Sequence, residues 1–140
     1  MASMTDAERA AFLAEPRYGI LSMLRQDGTP LAVPVWFEWD GKLVRMFSSR
    51  MSPKIERLQR DPRASLLVTN RLEEPEAWVA FDGEVEIHEE GGLEIAERLA
   101  PGYWDLGDEH RRATLELWRK AAGVFVALEL VPTQIRSYRD

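Results

Sequence analysis

Cysteine is absent from this 140-residue chain, which removes disulfides, thiolate nucleophiles and cysteine-ligated zinc or iron–sulfur clusters from consideration. Histidine is scarce. His88 and His110 stand apart in the sequence, neither belongs to a ligand-spaced group of carboxylates and imidazoles, and no metal site is expected. No apolar run approaches the ~20 residues that span a bilayer. Met1-Ala2-Ser3-Met4-Thr5 lacks the basic segment and apolar stretch of a secretory leader, so a soluble, cytoplasmic protein with no membrane partner is expected. No Ser/Gly linker, internal repeat or low-complexity tract divides the chain. Residues 1–140 are therefore expected to form a single domain, for which 45% hydrophobic content provides a core of ordinary size. No Ser-His-Asp set stands out either, and no residue is assigned a catalytic role.

What is present is an uneven distribution of charge. The formal net charge is −6. Residues 45–63 nevertheless carry Arg45, Arg50, Lys54, Arg57, Arg60 and Arg63 against Glu56 and Asp61, a local balance of +4. Residues 71–90 hold eight acids against Arg71. One basic face on an acidic protein points to a small anionic ligand, whereas a nucleic-acid partner is not expected: the aromatics do not alternate with basic residues along a strand.

The basic segment has a definite local form. Ser52 suits a helix N-cap and Pro53 the first helical position, where its missing N–H costs nothing. Lys54 then falls in the first turn, where the helix dipole disfavours a cation unless an anion sits over the unpaired amides. Ser48, Ser49 and Arg50 precede the helix and offer hydroxyl and guanidinium donors. The segment reads equally as a capped surface helix with a solvated lysine.

Around it, Thr5-Asp6-Ala7-Glu8 matches a capping box and predicts a helix from Asp6 to about Ala14, ended by Pro16. Tyr18 to Leu24 reads as a first strand and Leu31 to Trp39 as a second, joined at Asp27-Gly28. Asp40-Gly41 predicts a tight hairpin returning Lys42 to Ser48 against that second strand. Ala64 to Asn70, Ala77 to His88 and Val124 to Val131 complete the strand set, with a bulge or turn expected at Gly83. A helix around Leu93–Leu99 ends at Pro101-Gly102. Another from about Asp108 is expected to bury Ala113, Leu117 and Ala121, with Gly123 just beyond its end. The prediction is a mainly β (α+β) fold, a small six-stranded antiparallel barrel with short peripheral helices. Trp36 and Trp39 must point to opposite faces of their strand. Trp78 and Trp118 are expected inside, and Trp104 is left open.

Val33-Pro34-Val35-Trp36-Phe37, the Asp40-Gly41 turn, Phe47-Ser48-Ser49, Ser52-x-Lys54 and Leu58-Gln59-Arg60-Asp61-Pro62-Arg63-Ala64-Ser65-Leu66 together resemble the pyridoxamine 5′-phosphate oxidase-like flavin and deazaflavin oxidoreductases. The resemblance runs from about Arg17 to Ile87, with a weaker echo at Leu130-Val131-Pro132. It implies an FMN-binding split β-barrel, a homodimer with cofactor sites in grooves between the subunits, and a small-molecule substrate. By position it implies that the ring of FMN, or alternatively of the deazaflavin coenzyme F-420, lies along Val33, Pro34, Val35 and Trp36, with the phosphate at Ser48, Ser49, Arg50 and Lys54 and Phe47 also among the cofactor-binding residues. The chemistry implied is transfer of a hydride or electron pair to a small planar organic substrate. The alternative is a non-catalytic protein that binds or sequesters a flavin, haem or similar ligand. The family's true pyridoxamine phosphate oxidases carry a longer C-terminal segment with arginine and histidine for their substrate; nothing comparable follows Arg136-Ser137-Tyr138-Arg139-Asp140, so that particular oxidation is not expected.

Overall fold

Thr5 and Glu8 close the reciprocal capping box that starts helix α1 (Asp6–Ala14) in a computed structural model that describes residues 2–140. Strands β1 (Gly19–Leu24), β2 (Pro30–Val35), β3 (Glu38–Trp39) and β4 (Val44–Ser49) follow, then α2 (Pro53–Arg60), β5 (Arg63–Thr69), β6 (Ala77–His88), α3 (Gly92–Tyr103), α4 (Glu109–Lys120), a single 3-10 turn and β7 (Phe125–Arg139). All seven strands join one sheet in the order β2-β1-β5-β6-β7-β4-β3, and every pairing is antiparallel.

The seventh strand comes from a corner. The expected strand from Leu31 to Trp39 is two: β2 pairs with β1 through Val35, the chain turns at Trp36-Phe37, and Glu38-Trp39 pairs with Arg45 and Val44. The Asp40-Gly41 hairpin therefore returns β4 against β3 and not against β2. Gly41 has φ 95°, a value that glycine adopts without the Cβ penalty other residues meet, and Asp40 accepts from the amides of Lys42 and Leu43. At the other expected irregularity, β6 carries a bulge between Asp82 and Gly83. A Cβ on Gly83 would lie 2.1 Å from the Val131 carbonyl oxygen, so the crossing strand requires glycine there.

The sheet curls into a half-barrel. Its concave face holds Leu21, Met46, Leu66, Phe81, Leu128 and Leu130, each with no solvent exposure, and α2 closes one opening with Ile55 and Leu58. Trp39 packs on Phe81 at 4.8 Å between ring centroids, so it faces the core. Two helix expectations are corrected. On α4, Leu115 is buried and Leu117 is 65% exposed, with Ala113 and Ala121 exposed as well, because the helix packs through Trp118 against Phe47 and Phe125. The 3-10 turn Ala122–Val124 also intervenes, so Gly123 is not its C-terminal cap. Trp78, expected inside, stands half-buried beside Val79 on the convex face, near Tyr138 and Arg136.

Candidate functional site

Helix α2 begins as its sequence suggests. The Ser52 hydroxyl accepts from the Lys54 amide at 3.3 Å, and Pro53 occupies the first turn. The loop before it is largely self-satisfied: the Met51 amide donates to Ser49 Oγ at 3.2 Å, and the Ser52 amide donates to the Ser49 carbonyl at 3.0 Å. What remains over is the Lys54 side chain. Its Nζ reaches the Ser48 Oγ at 3.4 Å, and Ser48 is buried on the concave face at the end of β4. Among the described residues Lys54 pairs with no carboxylate. Burial pushes its amine below the ordinary lysine range, since desolvation disfavours the charged form. A half-buried ammonium with one serine partner is costly unless an anion completes it.

Arg50 is placed differently. Its guanidinium forms an ion pair with Glu89, its Nε donates to the Gly123 carbonyl at 3.2 Å, and its backbone amide donates to the Val124 carbonyl at 2.6 Å. It thus fastens the β4–α2 loop to both ends of the segment from residue 89 to 124. Ser49 points to the convex side of β4, opposite Ser48, as strand alternation requires.

Val33, Pro34 and Val35 lie on β2, which pairs with β1 and ends the strand order. As an edge strand it keeps backbone groups on its free side for a partner. Val35 is buried and Pro34 exposed. Although β2 and β4 lie near opposite ends of the sheet, the curl brings their ends together: the Trp36 and Phe47 rings meet at 5.6 Å.

An aromatic cluster covers that junction. Trp36 lies on Tyr103, meets the Trp104 edge at 4.8 Å, and shares Trp118 with Phe47 and Phe125. Tyr103, Trp104 and Trp118 were not singled out for this place from sequence. The available signal was the density of tryptophan, five in the chain, three of which converge here. Elsewhere, β6 and β7 bring His88 to 2.8 Å from Glu129 and 3.6 Å from Glu86, a cross-strand set to which Arg45 also contributes at 3.1 Å.

The sequence model described as pyridoxamine 5′-phosphate oxidase matches residues 5–138. The chain belongs to this family. Among solved structures, an F-420 reductase resembles it at 22% identity over 89% of this chain and 93% of that one, with a TM-score of 0.70. A conserved hypothetical protein from Mycobacterium tuberculosis is similar at 26% identity, with coverage of 97% and 85% and a TM-score of 0.74. A haem-binding protein from Mycobacterium smegmatis shares the fold at 23% identity, over 99% of this chain but 55% of that one, with a TM-score of 0.65. No curated protein matches the chain. Membership accounts for the half-barrel and for the order of the motifs along it. Among the described residues no helix is long and apolar enough to cross a membrane.

Proposed function

We propose that this member of the pyridoxamine 5′-phosphate oxidase family is an oxidoreductase that holds FMN, or alternatively coenzyme F-420, by its phosphate and serves a small planar organic substrate. The observation that carries the reading is the half-buried Lys54 amine, which has Ser48 Oγ beside it and no carboxylate among the described residues. A phosphate supplies the missing counter-charge and accepts from the amine, and it accepts from Ser48 as well once that hydroxyl turns away from the Ser49 carbonyl, to which it donates at 3.1 Å. The likeness to an F-420 reductase supports this class of cofactor.

When bound, such a cofactor supplies the hydride or electron pair. The chain's own residues hold and orient it: Lys54 and Ser48 fix the anionic end, the free side of β2 offers backbone carbonyls, and amides other than at Pro34, to a ring along Val33 to Trp36, and the aromatic cluster limits water at the junction. The protein is proposed to act in the cytoplasm as a homodimer, with the cofactor groove shared between subunits and the open edge of β2 contributing to it.

The test is the visible spectrum of the purified protein, followed by titration of the cofactor-free form. FMN absorbs near about 370 and 450 nm and the deazaflavin near about 420 nm, values that belong to the cofactors. The Lys54→Ala variant is expected to bind the cofactor more weakly by roughly 1.5–3 kcal/mol, the range for a hydrogen bond to a charged group. Failure of both cofactors to bind at micromolar concentration overturns the proposal. A second reading, a non-catalytic protein that sequesters a flavin or haem, draws on the likeness to a haem-binding protein. Tight haemin binding with no cofactor turnover across a substrate panel would favour it.

A further inference from the structure

On the convex side of the sheet a groove of about 350 Å³ runs between β1 and the end of α3. Tyr18, Ile20 and Tyr103 line it, and Thr69, Asn70 and Arg71 border it at the end of β5. We propose that this groove receives an uncharged, planar aromatic ring and is where the substrate is chosen. The assignment rests on the cofactor reading above for its purpose, though not for its geometry.

Three observations converge on this occupant. The first is position. Ile20 is the cross-strand partner of Pro34, so the groove adjoins the strand expected to face the cofactor ring, and Tyr103, which lines it, lies against Trp36. The second is the character of its walls. Tyr18 is 60% exposed, and its ring touches that of Tyr103, with centroids 5.7 Å apart at an angle of 54°, so the pair makes one aromatic surface on which the exposed Tyr18 ring offers stacking or edge contacts to a flat ring. The third is charge. Arg71 is taken up by the Pro16 carbonyl at 2.6 Å and by Glu74, and Arg17 by Glu74 and Glu15. The cations at the rim are thus already paired, and an anionic ligand would compete with these carboxylates. A neutral ring need not. The volume also falls in the range of small-molecule sites.

The experiment uses the full chain, isotopically labelled, with 2-acetylnaphthalene as the planar probe and its saturated decalin analogue as the control, followed by amide chemical-shift mapping. The expected result is shifts confined to residues around Tyr18, Ile20, Thr69 to Arg71 and Tyr103. The saturated analogue should bind distinctly more weakly. Tyr18→Ala, at an exposed position that the fold does not need, should raise the probe's Kd about tenfold, and Tyr18→Phe should restore it. Shifts mapping elsewhere, equal binding of the saturated analogue, or no effect of Tyr18→Ala would overturn the proposal. So would absence of shifts because a second copy of the chain covers the groove. Titrations with FMN and F-420 are read separately: cofactor binding without groove binding defeats this inference alone, and groove binding without cofactor binding defeats the cofactor reading alone.

Discussion

The Trp36 indole lies nearly flat on the Tyr103 ring, with centroids 4.9 Å apart and planes 8° from parallel. The phenol completes the joint: Tyr103 Oη donates to the Arg17 carbonyl at 2.6 Å and accepts from the Phe37 amide at 3.4 Å. One residue at the end of α3 therefore ties down both the entry to β1 and the corner where β2 becomes β3. Burial raises the Tyr103 pKa above the ordinary phenol value, so the group stays a neutral donor. Removing the hydroxyl with Tyr103→Phe leaves those backbone groups short of a partner. The variant is expected to lose about 1–2 kcal/mol of stability in denaturant unfolding while keeping the tryptophan emission of the native protein. Tyr103→Leu should alter that emission as well, because Trp36 loses its stacking partner. An unchanged unfolding midpoint for Tyr103→Phe would contradict the role given to the hydroxyl.

Acid stability is expected to depend on Glu74. The buried Arg17 guanidinium donates to both of its oxygens, at 2.6 and 3.2 Å, and the Arg71 amide donates to it at 2.8 Å. The Arg17 hydrogen bonds first, and that amide second, lower the carboxyl to about 2. A depressed acid contributes stability that is complete above its unfolded pKa of about 4.3 and is lost as pH falls through its folded value. Between about pH 4.3 and 2 the wild-type protein should lose stability more steeply than Glu74→Gln. Parallel acid limbs for the two proteins would show that the pairing does not contribute.

The elements read most directly from the sequence are those dictated by local chemistry. The Thr5/Glu8 box, the glycines of both Asp-Gly turns and the Ser52-Pro53 helix start depend on residues within a few positions of one another, and each takes the expected form. The corner at Trp36-Phe37 was not legible, because the apolar pattern continues across it and only the Tyr103 phenol and the curl of the sheet fix the bend. The rotation of α4 was missed for the same reason: Ala113 and Leu117 share a helical stripe, but Trp118 anchors the helix through Phe47 and Phe125 and turns Leu117 outward. At the candidate site, Lys54 Nζ lies 3.4 Å from Ser48 Oγ, a contact between residues six positions apart across the strand end and helix start. The partners of Arg50 were not foreseen, since Glu89 and Gly123 are remote in the chain.

Lys54 should trade stability against binding. Its amine is half-buried, with burial lowering its pKa, so the folded protein holds that proton less tightly than the unfolded chain, in which the pKa is about 10.4. Stability contributed at this site therefore rises with pH between the folded and unfolded values, the same sign as at Glu74, although here folding disfavours the charged form and there it favours it. Lys54→Met keeps the aliphatic stem and removes the charge. It is expected to melt at a higher temperature at neutral pH, to lack the alkaline rise, and to bind the cofactor roughly ten- to a hundredfold more weakly. A variant less stable than wild type at neutral pH would mean that the ammonium is well compensated in the free protein.

Arg50 and Lys54 lie within one basic segment but should behave as different devices. Lys54 has an amine to give to an anion, whereas the Arg50 guanidinium is held by Glu89 and the Gly123 carbonyl and so fastens the α3–α4 segment that carries Tyr103, Trp104 and Trp118. Arg50→Ala should speed amide hydrogen exchange across residues 89–124, with a smaller loss of cofactor affinity than Lys54→Ala. Lys54→Ala should show the reverse, with weak cofactor binding and native exchange in that segment. If Arg50 instead meets the phosphate directly, cofactor binding must break its pair with Glu89, and Glu89→Gln would then tighten binding. Equal affinity of Glu89→Gln and wild type, together with faster exchange in Arg50→Ala, is the outcome that this geometry predicts.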